Sequence, residues 1–125
     1  DQHTRRGSAP VEFLGRPAWT TLGPARLCLG ARVPLFLAVN LRDGEEYHFR
    51  FEKIHDGEVV DGETDQLALT RRWVLALERY VRDHPEQYFW FHRRWKGTRA
   101  AQAWTNEHLH AMVRDNLDQG SALRS

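Results

Sequence analysis

The residues best equipped for chemistry in this 125-residue chain stand together between His84 and Lys96. Five aromatic rings fall within residues 88–95, and three cations, Arg93, Arg94 and Lys96, surround the last ring, Trp95. Such a segment has three chemical uses. It packs a core, because aromatic side chains bury large areas. It stacks on bases while its cations pair with phosphates. It also suits a lipid headgroup layer, where aromatic bodies sit at interfacial depth and cations meet phosphate. Arg93, Arg94 and Lys96 are therefore candidate contacts for lipid phosphate or an acidic carrier protein, with a solvated or snorkelling role as the plain alternative. For the rings from Tyr88 to Phe91 the plain alternative is a buried buttress that closes a sheet against helices.

Composition narrows these uses. The chain carries 18 basic and 17 acidic residues, so no global basic field points to nucleic acid, and none is expected as a partner. Cys28 is the sole cysteine and cannot form an intramolecular disulfide; its apolar helical surroundings suit a small buried thiol. No Cys/His spacing suggests zinc and no glycine-rich phosphate loop is present, so neither metal nor cofactor is called for. The longest apolar run, Val33 to Val39, is far short of the ~20 residues of a membrane span. The polar start Asp1–Gly7 has neither an initiator methionine nor a signal-peptide pattern, which leads us to expect a chain cut from something longer.

The elements that must position the segment follow from periodicity. Pro10–Gly15 predicts a short strand with Val11 and Phe13 on one face, stopped by Gly15 and Pro17. Thr20 or Thr21 then caps a helix running to about Ala31, with Pro24 in its first turn and Gly30 as an end. Val33–Val39 reads as a strand buried on both faces, which with the preceding strand and helix favours a right-handed parallel crossover. A turn at Asp43-Gly44 leads into Glu46–Lys53, where Tyr47, Phe49 and Phe51 alternate with Glu46, His48, Arg50 and Glu52 across one dry and one wet face. Thr64 is expected to cap a helix with an apolar stripe of Leu67, Thr70, Val74, Leu77 and Val81, flanked by Trp73 and Tyr80 and ending near His84. Pro85 breaks it. Thr98 starts a last helix carrying Trp104, Leu109, Met112, Val113 and Leu117, with Gly120 as its stop and a frayed tail beyond. The expected class is α/β, a partial mixed sheet in the order β-α-β-β-α-α with flanking helices. A sheet short of neighbours also predicts exposed apolar surface and self-association.

Phe13-Leu14-Gly15-Arg16-Pro17-Ala18-Trp19-Thr20, Gly23-Pro24-Ala25-Arg26-Leu27, Val33-Pro34 and the segment His84–Lys96 follow one another in a familiar order. Together they resemble the C-terminal half of the bacterial lipid A biosynthesis acyltransferases, the lauroyl/myristoyl transferases of the lysophospholipid acyltransferase superfamily. The resemblance spans roughly residues 1–96, most specifically His84–Lys96. It divides the chain into 1–97, the C-terminal part of the acyltransferase-like domain, and 98–125, a C-terminal helix and tail.

The resemblance implies transfer of a fatty acyl chain from acyl carrier protein, or acyl-CoA, to a glycolipid hydroxyl such as that of a lipid A precursor. It implies work at the membrane surface, on the cytoplasmic face of the bacterial inner membrane. In this family a His followed five residues later by Asp or Glu supplies the base and the carboxylate that orients it. That motif is expected upstream of Asp1, leaving no catalytic residue in this chain and a fragment inactive by itself. Asp1, Gln2 and Arg16 are implied near the transfer cleft and join Arg93, Arg94 and Lys96 as substrate-binding candidates. His110 and Asp115 reproduce the spacing, but they follow His84–Lys96 instead of preceding it, and positions five apart on a helix do not face each other well. The alternative from another class is a non-catalytic basic-aromatic module for lipid headgroups or single-stranded nucleic acid.

Overall fold

The structure, a computed structural model, describes residues 7–59, 65–88, 94–104 and 106. Asp1, Gln2, Arg93, Phe89, Trp90, Phe91, Thr64, the His110/Asp115 pair and the expected helix beyond Asn106 lie outside the described residues.

The chain begins with a hairpin where sequence periodicity predicts one strand and a stop. Strands β1 (Ser8–Phe13) and β2 (Arg16–Thr21) pair antiparallel from Phe13 opposite Arg16 to Ser8 opposite Thr21. Leu14 (φ 51°) and Gly15 (φ 76°) form the two-residue connection, and positive φ at both positions is the signature of a type I′ turn. The prolines do not interrupt the ladder, for a geometric reason. Phe13 and Arg16 flank the turn as a hydrogen-bonded pair, so bonded and non-bonded pairs alternate from there. Pro17 opposite Glu12, and Pro10 opposite Trp19, both fall at non-bonded pairs. A proline nitrogen there points off the ladder and forfeits nothing.

Helix α1 (Gly23–Ala31) follows at once. Its N-cap position is Leu22, not Thr20 or Thr21; Thr20 lies buried inside β2, and the Thr21 hydroxyl accepts from Gly23 N at 3.1 Å in a local turn. The helix passes Gly30 and stops where Arg32 turns left-handed (φ 53°), its N–H donating to the Cys28 carbonyl.

Strands β3 (Leu35–Asp43) and β4 (Glu46–His55) form a second antiparallel hairpin. Gly44 (φ 60°) opens its turn; Glu45 keeps negative φ, which fits a type II′ connection. The chain is α/β with flanking helices, as expected, but its strands make two separate two-stranded antiparallel ladders, and no parallel pair occurs among the described residues. The crossover expectation fails because β2 intervenes before α1 and pairs back on β1. The expectation that Val33–Val39 is buried on both faces fails as well. Leu35, Leu37, Val39 and Leu41 are half-buried while the residues between them are exposed. On β4 the expected alternation is present with its faces exchanged. The side bearing Glu52 turns toward α2, and Tyr47, Phe49 and Phe51 face outward. Strand β3 decides this, since its branched aliphatic residues sit on the same face as Glu52 through the Leu37–Glu52 pair.

Helix α2 (Gln66–Asp83) starts one residue later than expected. Asp65 is the N-cap, its carboxylate accepting from Ala68 N at 2.9 Å. The predicted stripe holds, with Thr70, Val74 and Val81 buried and Leu67 and Leu77 packed against the core. It is wider than predicted, because Leu69 and Ala76 serve a second cluster with Ala25, Cys28 and Ile54. One α2 side packs on Val11, Phe13 and Ala18 of the first hairpin, and the other joins α1 and the second hairpin. Trp73 packs against both clusters, and its indole N–H is buried without a hydrogen-bond partner among the described residues. A 3-10 turn, Pro85–Gln87, ends the helix as Pro85 predicts, and residues 98–104 are helical.

Candidate substrate-contact site

Three of the six candidate contact residues fall within the described residues: Arg16, Arg94 and Lys96. Arg16 and Arg94 converge on one aromatic cluster. Phe13, fully buried at the end of β1, lies 5.7 Å from the Tyr88 ring and 5.8 Å from Trp95, the latter stacked at 27°. Arg16 places its guanidinium 5.5 Å over Trp95, and Arg94 places its own 5.5 Å over Phe13. Two cations on a stacked ring pair are an electrostatically favourable arrangement, each facing the negative side of a ring quadrupole. The short hairpin turn achieves it by putting Phe13 and Arg16 directly opposite each other.

The two arginines do different work. Arg94 is half-buried and donates to the Trp19 carbonyl and to the Thr20 hydroxyl, both at 2.8 Å. Trp19 sits at a non-bonded ladder pair, so its carbonyl points away from β1 and needs an outside donor. Arg94 supplies one, fixing the segment around residue 94 to the first hairpin. Burial lowers the guanidinium's pKa from its usual value, and Tyr88 partly offsets that; the same burial raises the Tyr88 phenol. Arg94 nonetheless remains a cation, as arginine does throughout proteins. Sequence reasoning points its charge outward; the structure turns it inward, onto the outward-pointing Trp19 carbonyl and the Thr20 hydroxyl, which itself donates to the Ala18 carbonyl. Arg16 and Lys96, by contrast, are exposed.

Further contacts hold the cluster in place. Trp95 Nε1 donates to the Phe13 carbonyl at 3.3 Å, and Trp19 lies where a side chain on Gly97 (φ 81°) would project, 3.5 Å away. Leu14 N donates to Glu78 Oε2 at 2.9 Å, tying the hairpin turn to α2. That bond is the largest cause of the lowered Glu78 pKa, with Arg82 contributing through a hydrogen bond and its charge. Sequence reasoning misses Trp19, Thr20 and Glu78 as partners. The available signal is Leu14-Gly15 between two apolar-alternating stretches, the two-residue pattern of a hairpin.

The decoy pair His110/Asp115 lies outside the described residues, and no group of three or more His, Cys, Asp or Glu side chains suited to a metal occurs among the described ones. His55 is committed elsewhere. Its Nδ1 accepts from Gly57 N at 2.9 Å and meets the buried Cys28 sulfur at 3.6 Å, knitting α1 to the end of β4. No helix among the described residues is long and apolar enough to cross a membrane.

The arrangement is thus an aromatic floor of Phe13 and Trp95 with an exposed Arg16 and a half-buried Arg94 set over its rings. No curated protein and no solved structure matched the chain significantly. Residues 1–97, which include both hairpins, α1, α2 and the Phe13–Trp95 cluster, match the family of bacterial lipid A biosynthesis acyltransferases, and the chain belongs to that family.

Proposed function

We propose that this chain is the substrate-positioning part of an acyltransferase that moves a fatty acyl group from acyl carrier protein, or acyl-CoA, to a hydroxyl of a glycolipid such as a lipid A precursor. The placement at the cytoplasmic face of the bacterial inner membrane belongs to the same proposal. Family membership supports the acyl-transfer chemistry. The convergence of Arg16 and Arg94 on the Phe13–Trp95 floor carries the positioning role.

In the proposed reaction a histidine, held by a carboxylate five residues on, takes the proton of the acceptor hydroxyl. The oxygen attacks the thioester carbonyl, the C–O bond forms as the C–S bond breaks, and the carrier thiol leaves with a proton. The only such spacing in this chain is His110/Asp115, which follows the aromatic-basic segment. We therefore assign the base to a preceding part of the polypeptide. Lys96, which is exposed, is assigned with Arg93 to phosphate on the glycolipid or acidic groups on the carrier, and exposed Arg16 is assigned with Asp1 and Gln2 to the transfer cleft. Arg94, with two protein acceptors, shapes that surface more than it binds.

The test is mass spectrometry of a lipid A precursor incubated with the encoded polypeptide and either acyl donor. A mass gain of one acyl group on the glycolipid is expected. Donor hydrolysis with no acylated glycolipid would overturn the acceptor assignment.

A further inference from the structure

The outward face of the second hairpin is aromatic in a way that core packing does not explain. Tyr47, Phe49 and Phe51 are 61%, 65% and 69% exposed, and Phe36 on β3 is 50% exposed. Register places all four on one face, with Phe36 opposite Lys53 and Tyr47 opposite Arg42. The Phe49 and Phe51 rings stack at 6.5 Å, and the Arg42 guanidinium lies 5.9 Å over Tyr47. The carboxylates of the two strands are confined to one face, which also carries Arg50. Arg42 and Lys53 share the aromatic face, whereas Asp43, Glu46 and Glu52 have the opposite parity and fall on the face toward α2.

Exposed rings flanked by cations and free of carboxylates complement an apolar layer beneath negative charge, and the charge favours that over a second copy, whose matching face is equally cationic. We propose that this face of β3–β4 seats on an anionic lipid bilayer, with the phenyl rings at headgroup depth and Arg42 and Lys53 against lipid phosphate. The inference rests on the membrane-surface reading above and adds the element that makes the contact. Both hairpin strands are antiparallel and joined by a tight turn, so the rings form a row that enters an interface without unpairing backbone. The face lies on a different hairpin from the Phe13–Trp95 floor, so bilayer attachment and substrate positioning are separable by mutation.

The experiment is sedimentation of the 125-residue chain with vesicles of phosphatidylcholine alone and with added phosphatidylglycerol, accompanied by Phe49→Trp as an emission probe. Partition onto the anionic vesicles is expected, with a blue shift of the Phe49→Trp emission and quenching by brominated acyl chains. Phe49→Ser/Phe51→Ser should abolish partition, and neutralising Arg42 or Lys53 with Gln should weaken it about fivefold each. Arg50→Gln, on the same strand but the opposite face, should leave it unchanged. Phe49→Trp keeps an aromatic residue in place, so an unshifted emission from a bound, folded chain overturns the proposal even where the serine variant fails to fold. Partition undiminished by the serine pair also overturns the hairpin assignment and leaves the membrane reading standing. Absence of partition on both vesicle types overturns the two together. A dimer that dissociates in the serine variant, with no partition, assigns the face to a second copy and overturns the proposal as well.

Discussion

The backbone nitrogen of Leu14 donates to Oε2 of Glu78, 64 positions along the chain, at 2.9 Å. Leu14 is a bulky residue at φ 51°, a conformation that costs L-residues roughly 1–2 kcal/mol and that leucine seldom adopts. The carboxylate, itself held by Arg82, offsets that cost, and it sets the turn that brings Phe13 opposite Arg16.

Glu78→Gln should therefore destabilise the fold at neutral pH by about 1.5–3 kcal/mol, the range for a hydrogen bond to a charged group. The folded-state pKa of Glu78 is lowered, so its contribution is present above the ordinary carboxylate pKa and lost as pH falls through the folded value. Urea unfolding across the acidic range should show wild type losing stability more steeply than Glu78→Gln. Parallel pH dependences would remove Glu78 from this role.

Arg94 and Lys96 are two positions apart and should respond in opposite ways. Arg94→Lys loses the forked donation to Trp19 O and Thr20 Oγ1, and about 2–3 kcal/mol of stability should go with it. Lys96→Ala should leave the unfolding midpoint in place while raising the substrate KM of the encoded acyltransferase. Equal stability losses from both substitutions would contradict the division between a fastening arginine and an exposed contact lysine.

Two glycines with positive φ offer a sharper contrast. A Cβ on Gly15 (φ 76°) meets nothing within 4 Å, so Gly15→Ala should cost only the left-handed penalty, about 1 kcal/mol. A Cβ on Gly57 (φ 88°) would stand 2.6 Å from the Val33 carbonyl carbon and 2.9 Å from its oxygen. Backbone cannot yield there as a side chain does, and Gly57→Ala should cost several times as much. Denaturant midpoints measured side by side decide it.

The buried His55 has a defined tautomer. Because Nδ1 accepts from Gly57 N, the ring proton belongs on Nε2, and the Cys28 thiol is left to donate to the same Nδ1. Nitrogen NMR should report the Nε2–H form, and Cys28 should resist alkylation until global unfolding. Rapid alkylation under native conditions would show this contact to be open.

How much of this was legible in the sequence depends on whether the signal was local. The α2 stripe, the Pro85 break and the Asp43-Gly44 turn follow from periodicity and turn chemistry, and the structure contains all three. Strand β2 was obscured because Pro17 reads as a stop, and only hairpin register shows its nitrogen to be spare. The parallel crossover failed with it. The apolar run from Val33 suggested double burial, yet which face is covered depends on where α2 lies, and no local pattern contains that. The aromatic-basic segment was recognisable as the place to look. The inward turn of Arg94 was not, because it answers a carbonyl 75 positions earlier.

The central claim is that these residues position substrate in a lipid A acyltransferase whose base lies on a preceding part of the polypeptide. Acyl transfer from labelled acyl carrier protein to a lipid A precursor, compared between the 125-residue chain and the polypeptide extended at its N-terminus, tests this directly. The account predicts acylated glycolipid from the extended polypeptide and none from the 125-residue chain. Turnover by the 125-residue chain itself would contradict it and would return His110 and Asp115 to consideration as the catalytic pair.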